Sequence, residues 1–181
     1  LGVLSGLFGR RQAEVALPLY NAVVLRARAE HWYLAGAVPD TVDGRFDMIA
    51  AVLSVVLIRL EGDAEGAPVA ARLTEHFIDD MDGQLRELGV GDVVVGKHIG
   101  KMMGMLGGRL GAYRDTIDGR HDGSAAAGFD AALVRNLYRG DAPGDAALAH
   151  VRDTLLALHA ALATTPVASL VQGHLPEGPQ A

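Results

Sequence analysis

The sequence predicts an all-α fold: a single helical domain of about six helices around a central apolar helix. Three observations carry that reading. Apolar residues recur at helical spacing over nearly the whole chain. Alternating strand-like runs bounded by turns are missing. The segment from Phe46 to Leu60, FDMIAAVLSVVLIRL, is apolar almost all round, as a helix is when it lies inside a core or a bilayer. At about 15 residues, with Asp47 and Arg59 inside it, this helix is too short to span a hydrocarbon layer of about 30 Å. It is therefore assigned to the centre of a core.

The first helix is expected from Ala13 to Glu30, with Pro18 tolerated only in its first turn. A hydrophobic linker holding His31, Trp32 and Tyr33 follows. Pro39 and Asp40 then mark a turn, with Thr41 or Asp43 as candidate N-cap of the central helix. EGDAEGAP, from Glu61 to Pro68, reads as a polar loop, and Pro68 suits the first turn of a third helix that runs to Leu88 and is closed by Gly89. Leu73, Phe77, Met81, Leu85 and Leu88 form its apolar stripe, while Asp79, Asp82 and Arg86 fall off that line. Asp92 is the expected N-cap of a fourth helix, from about Val93 to Asp118. Gly119 to Gly128 reads as a loop. Two further helices, near Phe129 to Tyr138 and Asp145 to Thr164, are separated by GDAPGD, and the chain from Val167 onward is expected to be mostly unstructured. In domain terms, residues 1–12 form an N-terminal segment, 13–165 the helical domain and 166–181 a flexible tail.

Composition narrows the function. A chain of 181 residues with half of them apolar can bury one sizeable core. Its formal charge of −6 argues against general nucleic-acid binding, and no DNA partner is expected. The absence of cysteine removes disulfides, thiolate metal sites and a cysteine nucleophile. In LGVLSGLFGRR the arginines follow the apolar run, unlike a secretory signal peptide. Leu1, Leu4, Leu7 and Phe8 can share one face of a short helix ending at Arg10 and Arg11, so residues 1–11 are candidates for contact with an anionic membrane surface; a frayed end or docking on the core is the alternative.

The fourth helix carries the least ordinary pattern. Gly96, Gly100, Gly104 and Gly108 repeat every four residues, with Gly107 and Gly111 beside them. Each glycine inside a helix costs about 0.8–1 kcal/mol against alanine, so several together call for a compensating contact. Ile99, Met102, Met103, Leu106, Leu110 and Tyr113 gather on one side, and the glycines lie away from it. Small residues at this spacing let two backbones approach closely. The strip is thus a candidate groove for an apolar helix of a client, or else a tight contact inside the domain. Lys97, Lys101 and Arg109 lie beside it, with no acid between Asp92 and Asp115, so this side is locally basic. It could meet an acidic partner, lipid phosphate or ribosomal RNA, or pair with the acids of the third helix.

The catalytic patterns sought are missing. Asp79, Asp80 and Asp82 invite comparison with the aspartate-rich motif of prenyl-transfer enzymes, but its fifth position would be Gly83 and no second cluster follows. The seven histidines form no HExxH or Glu-x-x-His pair; His76 and Asp80 are spaced to hydrogen-bond along one helix. No strand precedes Gly89, Gly91 and Gly96, and no Gly-x-Ser-x-Gly elbow occurs. No catalytic residue, metal site or cofactor is expected. The partner-binding candidates are Asp79, Asp80, Asp82, Arg86, Lys97, Gly100, Lys101, Gly104, Gly108 and Arg109.

Three blocks, VPDTVDGRFDM (Val38 to Met48), FIDDMDGQLRELGVGD (Phe77 to Asp92) and GRLGAY (Gly108 to Tyr113), make the chain resemble the ubiquinol-cytochrome c chaperone family, most strongly over 13–118. The matching positions are Pro39, Asp40, Thr41, Gly44, Arg45 and Phe46; Phe77, Asp80, Met81, Asp82, Leu85, Arg86, Gly89, Val90, Gly91 and Asp92; and Lys97, Gly108, Arg109 and Tyr113. The resemblance implies a helical, non-catalytic assembly factor that binds newly made cytochrome b, or a similar apolar membrane-protein client, during assembly of ubiquinol-cytochrome c reductase. A short N-terminus without an arginine- and serine-rich presequence, together with the bias toward Ala, Gly, Asp and Arg, suggests a bacterial relative acting in the cytoplasm, peripheral to the inner membrane, with ribosome contact a feature of the family's mitochondrial members. The alternatives of another class are a helical enzyme or carrier acting on an isoprenoid or lipid, and a general protein-interaction module.

Overall fold

The computed structural model describes residues 15–87, 89, 92–117 and 125–176, and among these every regular element is an α-helix. In chain order they are α1 (Leu17–Ala27), α2 (His31–Leu34), α3 (Val42–Glu61), α4 (Gly66–Glu87), α5 (Asp92–Ile117), α6 (Ala125–Asn136), α7 (Asp145–Ala163) and α8 (Val167–Val171). Pro18 sits in the first turn of α1, where its missing N–H costs nothing.

The helix α1 stops at Ala27, short of the expected Glu30, because the residues read as a linker turn back and take its last carbonyls. The Trp32 indole Nε1 donates to the Arg26 carbonyl at 2.8 Å and the Tyr33 hydroxyl to that of Ala27 at 2.9 Å. Carbonyls in the final turn of a helix have no partner within it, and these side chains supply one. His31–Leu34 is accordingly a short helix with Trp32 fully buried.

The expected central helix is α3, which touches α1, α4, α5 and α7. Every residue from Phe46 to Leu60 except Arg59 is buried. It begins four residues ahead of Phe46 because the Thr41 Oγ1 accepts from the Gly44 amide at 3.0 Å and caps its open end. Gly44 has no freedom to be anything larger: a Cβ there would lie 1.9 Å from the Pro39 carbonyl oxygen.

Around this axis, α4 turns Leu73, Phe77 and Met81 inward as the stripe predicts; the Leu85 side chain and Leu88 lie outside the described part. The rings of Phe77 and Phe46 stand 5.5 Å apart between centroids. Gly89, at φ 78°, ends the helix, its amide bonded to the Arg86 carbonyl. The helix α6 begins at Ala125, inside the stretch expected to be a loop, and Gly128 there lets it press on α5: a Cβ would meet Thr116 Cγ2 at 3.0 Å.

The expectation of an unstructured tail is corrected as far as Pro176. Arg59, the half-buried cation of α3, donates to the carbonyls of Leu162 at 2.8 Å and Thr165 at 3.1 Å, capping the C-terminal end of α7. The chain then forms α8, which buries Val167 and Leu170, and Arg26 holds the Pro176 carbonyl at 2.7 Å. Apolar spacing over five residues is too brief a signal to have disclosed this docking. Residues 1–12, with their expected membrane contact, and 177–181 fall outside the described part. No helix among the described residues is long and apolar enough to cross a membrane.

Truncating a large side chain wedged against the central helix leaves a cavity there. Phe77→Ala is expected to lower stability by about 3–5 kcal/mol and Thr41→Ala by about 1 kcal/mol, both read from urea unfolding.

Candidate partner-binding surface

The neighbouring helices α4 and α5 carry all ten candidate residues, but the fold assigns them different work. On α4, Asp79 is exposed, whereas Asp80 accepts from the Tyr20 hydroxyl at 2.6 Å and from Gln84 Nε2 at 3.0 Å. Burial first, and the Asp80 carboxylate second, push the Tyr20 hydroxyl far above its ordinary pKa, so it stays a donor. Asp80 is thereby tied to α1 and is only partly available to a partner. The expected His76–Asp80 pair does not form; His76 Nε2 instead lies 3.0 Å from the Val15 carbonyl oxygen. Asp82 pairs with Arg86 at 2.7 Å along the helix, so Asp80 and Asp82 serve different partners while Asp79 stands exposed. Among the described residues no three histidine, aspartate or glutamate side chains come together in a way that could hold a metal ion.

On α5 the core face is centred on Leu106, Arg109 and Tyr113, all buried, with Ile99, Met102, Met105 and Leu110 packed around them. Met105 takes the place expected for Met103, because the face is centred on Arg109 rather than between Leu106 and Leu110. Arg109 was expected on the basic surface, and the structure corrects this: only 2 % of it is exposed. Its Nη2 donates to Asp47 Oδ1 at 2.9 Å and, in a short contact, to the Asn136 carbonyl. Asp47 Oδ2 accepts in turn from Arg139 Nε at 2.7 Å, and Arg139 Nη1 donates to Asp43 at 2.6 Å. One chain of alternating charges thus joins α3, α5 and the end of α6. Beside it the Tyr113 hydroxyl is pushed up to about 12 by burial. The spacing of Leu106, Arg109, Leu110 and Tyr113 at i, i+3, i+4 and i+7 was the available signal; the charge of Arg109 masked it.

The glycines face the other way. Gly96, Gly100, Gly104, Gly107 and Gly108 are exposed, and a Cβ built on any of them, or on Gly111, meets nothing within 4 Å among the described residues. Tight packing against another helix of the domain, one of the two expected readings, is therefore excluded for the fold described. Lys97, His98 and Lys101 are exposed along the same helix, and neither lysine forms an ion pair with a described residue. The result is an open strip of bare backbone flanked by cations.

A second feature was not expected from sequence. Arg28, Glu30, Tyr33, Leu34, Asp40 and Arg45 line a surface pocket of about 560 Å³. Leu34 there is 80 % exposed, and Leu25, lining a neighbouring pocket, is 76 % exposed. Asp40 and Arg45 close one side as an ion pair at 2.6 Å, holding the Asp40 carboxyl below its ordinary pKa. Single exposed leucines carry no periodic signal, which is why this pocket needs the fold to be seen.

Residues 35–177 match the family described as Ubiquinol-cytochrome C chaperone. The chain belongs to that family. The match begins later than the stretch of strongest resemblance in the sequence and runs through α6, α7 and α8. The fold is also similar to the crystal structure of the Cbp3 homolog from Brucella abortus, with a TM-score of 0.77 and 29 % identity over 96 % of this chain and 95 % of that one. No curated protein sequence matches the chain.

Within this chaperone-family chain the matching blocks divide by role. Thr41, Gly44, Phe46, Phe77, Met81, Arg109 and Tyr113 build caps, turns and core. Asp82, Arg86, Lys97 and Gly108 remain at the surface. Arg109→Ala, which strands Asp47 with one guanidinium fewer, is expected to cost about 3–5 kcal/mol, and Lys97→Ala less than about 0.5 kcal/mol. Equal effects in urea unfolding would contradict the division.

Proposed function

We propose that this chain is a non-catalytic assembly chaperone that holds newly made cytochrome b, or a similar apolar client, during assembly of ubiquinol-cytochrome c reductase. Membership of the chaperone family supports the general role, and the outward glycine strip of α5 supports the mode of binding. Six glycines in one helix forgo about 0.8–1 kcal/mol each relative to alanine, and no contact among the described residues uses the space they leave. A client helix laid along the strip can approach to backbone contact, as small-residue faces allow in membranes. Lys97 and Lys101 would meet its polar ends or the lipid phosphates beside it. Asp79, Asp82 and Arg86 on α4 extend the same candidate surface. The reading places the protein in a bacterial cytoplasm, at the surface of the inner membrane. An isoprenoid or lipid enzyme gains no support, since Asp79, Asp80 and Asp82 do not converge.

Photocrosslinkers at Lys97, Lys101 and Asp82 are expected to label cytochrome b in cells that make it; labelling confined to unrelated proteins removes the proposal. A double substitution, Gly100→Leu with Gly104→Leu, separates binding from folding. Leucine is the better helix former, so the variant is expected to be more stable by roughly 1 kcal/mol in total while losing client capture. Undiminished capture by that stabilised variant would refute the groove.

A further inference from the structure

We propose that the hydrogen bond between His31 and His150 is a pH-sensitive latch that holds the short helix α2, and with it one wall of the Tyr33–Leu34 pocket, against α7.

His31 Nδ1 and His150 Nε2 stand 2.9 Å apart, with the rings edge to face at 5.2 Å between centroids. Such a contact needs one N–H donor and one bare ring nitrogen, so it exists only while at least one imidazole is neutral. When both rings are protonated, two N–H groups and two positive charges face each other. The seam they close is tight. A Cβ on Gly36, just after α2, would lie 2.5 Å from the Trp32 carbonyl oxygen and 2.6 Å from Val151 Cγ2, next to His150 on α7. The other side-chain hydrogen bonds of the four-residue helix run to α1. Trp32 anchors it to α1 through the Arg26 carbonyl, and Tyr33 through that of Ala27.

The charged surroundings oppose protonation. Burial, then His150 from α7, then Arg26 from α1 lower the His31 pKa, and among the described residues neither imidazole has a carboxylate partner. A folded-state value below the ordinary imidazole value of about 6.5 means that the unfolded chain takes up the proton first. The latch therefore contributes its stability fully above that value and loses it as the pH falls through the lowered one. A metal ion is the weaker occupant. The pair offers two of the three or four protein ligands a zinc site uses, and among the described residues neither outward ring nitrogen has the hydrogen-bond partner that normally orients a ligating histidine.

The chain has one tryptophan, and its ring lies 4.3 Å from His31 and 6.4 Å from His150, so Trp32 emission reports on the pair. In an acid titration of the full chain, Trp32 emission is expected to change with a midpoint below about 6.5 while far-ultraviolet circular dichroism stays constant. Exchange of the Val38 amide, bonded to the Trp32 carbonyl, should quicken roughly tenfold beyond its intrinsic pH dependence. His150→Gln keeps a hydrogen-bonding partner but no charge. In it the midpoint should rise toward the ordinary value and the extra exchange should vanish. Identical midpoints and exchange in the two proteins would overturn the latch. If the variant fails to fold, histidine NMR of the natural chain decides: independent titration of both rings at the ordinary value would overturn it equally.

Discussion

A helix buried on every side cannot carry a charge without a partner, and α3 carries one. Asp47 lies near its start with 2 % exposure, and a lone carboxylate there would face a desolvation cost of several kcal/mol. Arg109 from α5 and Arg139 beyond α6 meet its two oxygens. That requirement fixes how α5 is turned: whatever brings Arg109 to Asp47 also sets Leu106 and Tyr113 into the core and the glycines outward. Orientation of the candidate surface follows from neutralising one buried acid.

The same geometry separates the two faces of α5 cleanly. The inner face holds the charge chain and the Tyr113–Phe129 edge contact, with ring centroids 5.0 Å apart. The outer face holds glycines with open space beyond them. A helix so poor in side chains on one side gains little from its own propensity, so its hold on the domain comes from α3, α4 and α6. The outer strip can then remain bare without the helix being lost.

The segment between α1 and α3 works through side-chain to backbone bonds. Trp32 and Tyr33 end α1, while the Tyr138 hydroxyl donates to the Gly36 carbonyl at 2.6 Å. These bonds, two of them local and one reaching 102 positions along the chain, hold a stretch with almost no regular structure of its own. They also shape the pocket in which Leu34 stands exposed beside the Asp40–Arg45 pair.

Helix type, the central place of α3, the Thr41 cap, the Gly89 stop and the inward stripe of α4 were all set by local pattern, because periodicity and capping act within a few residues of chain. The sequence by itself also determined the family resemblance and the outward lie of the glycines relative to the apolar side. Tertiary structure alone decided that Arg109 belongs to the core, that Asp80 serves Tyr20, that His31 meets His150 and that α8 docks. Each of these rests on a partner between 27 and 150 positions away. A charge on an apolar face reads as surface until the opposite charge is brought to it, and only the folded chain does that.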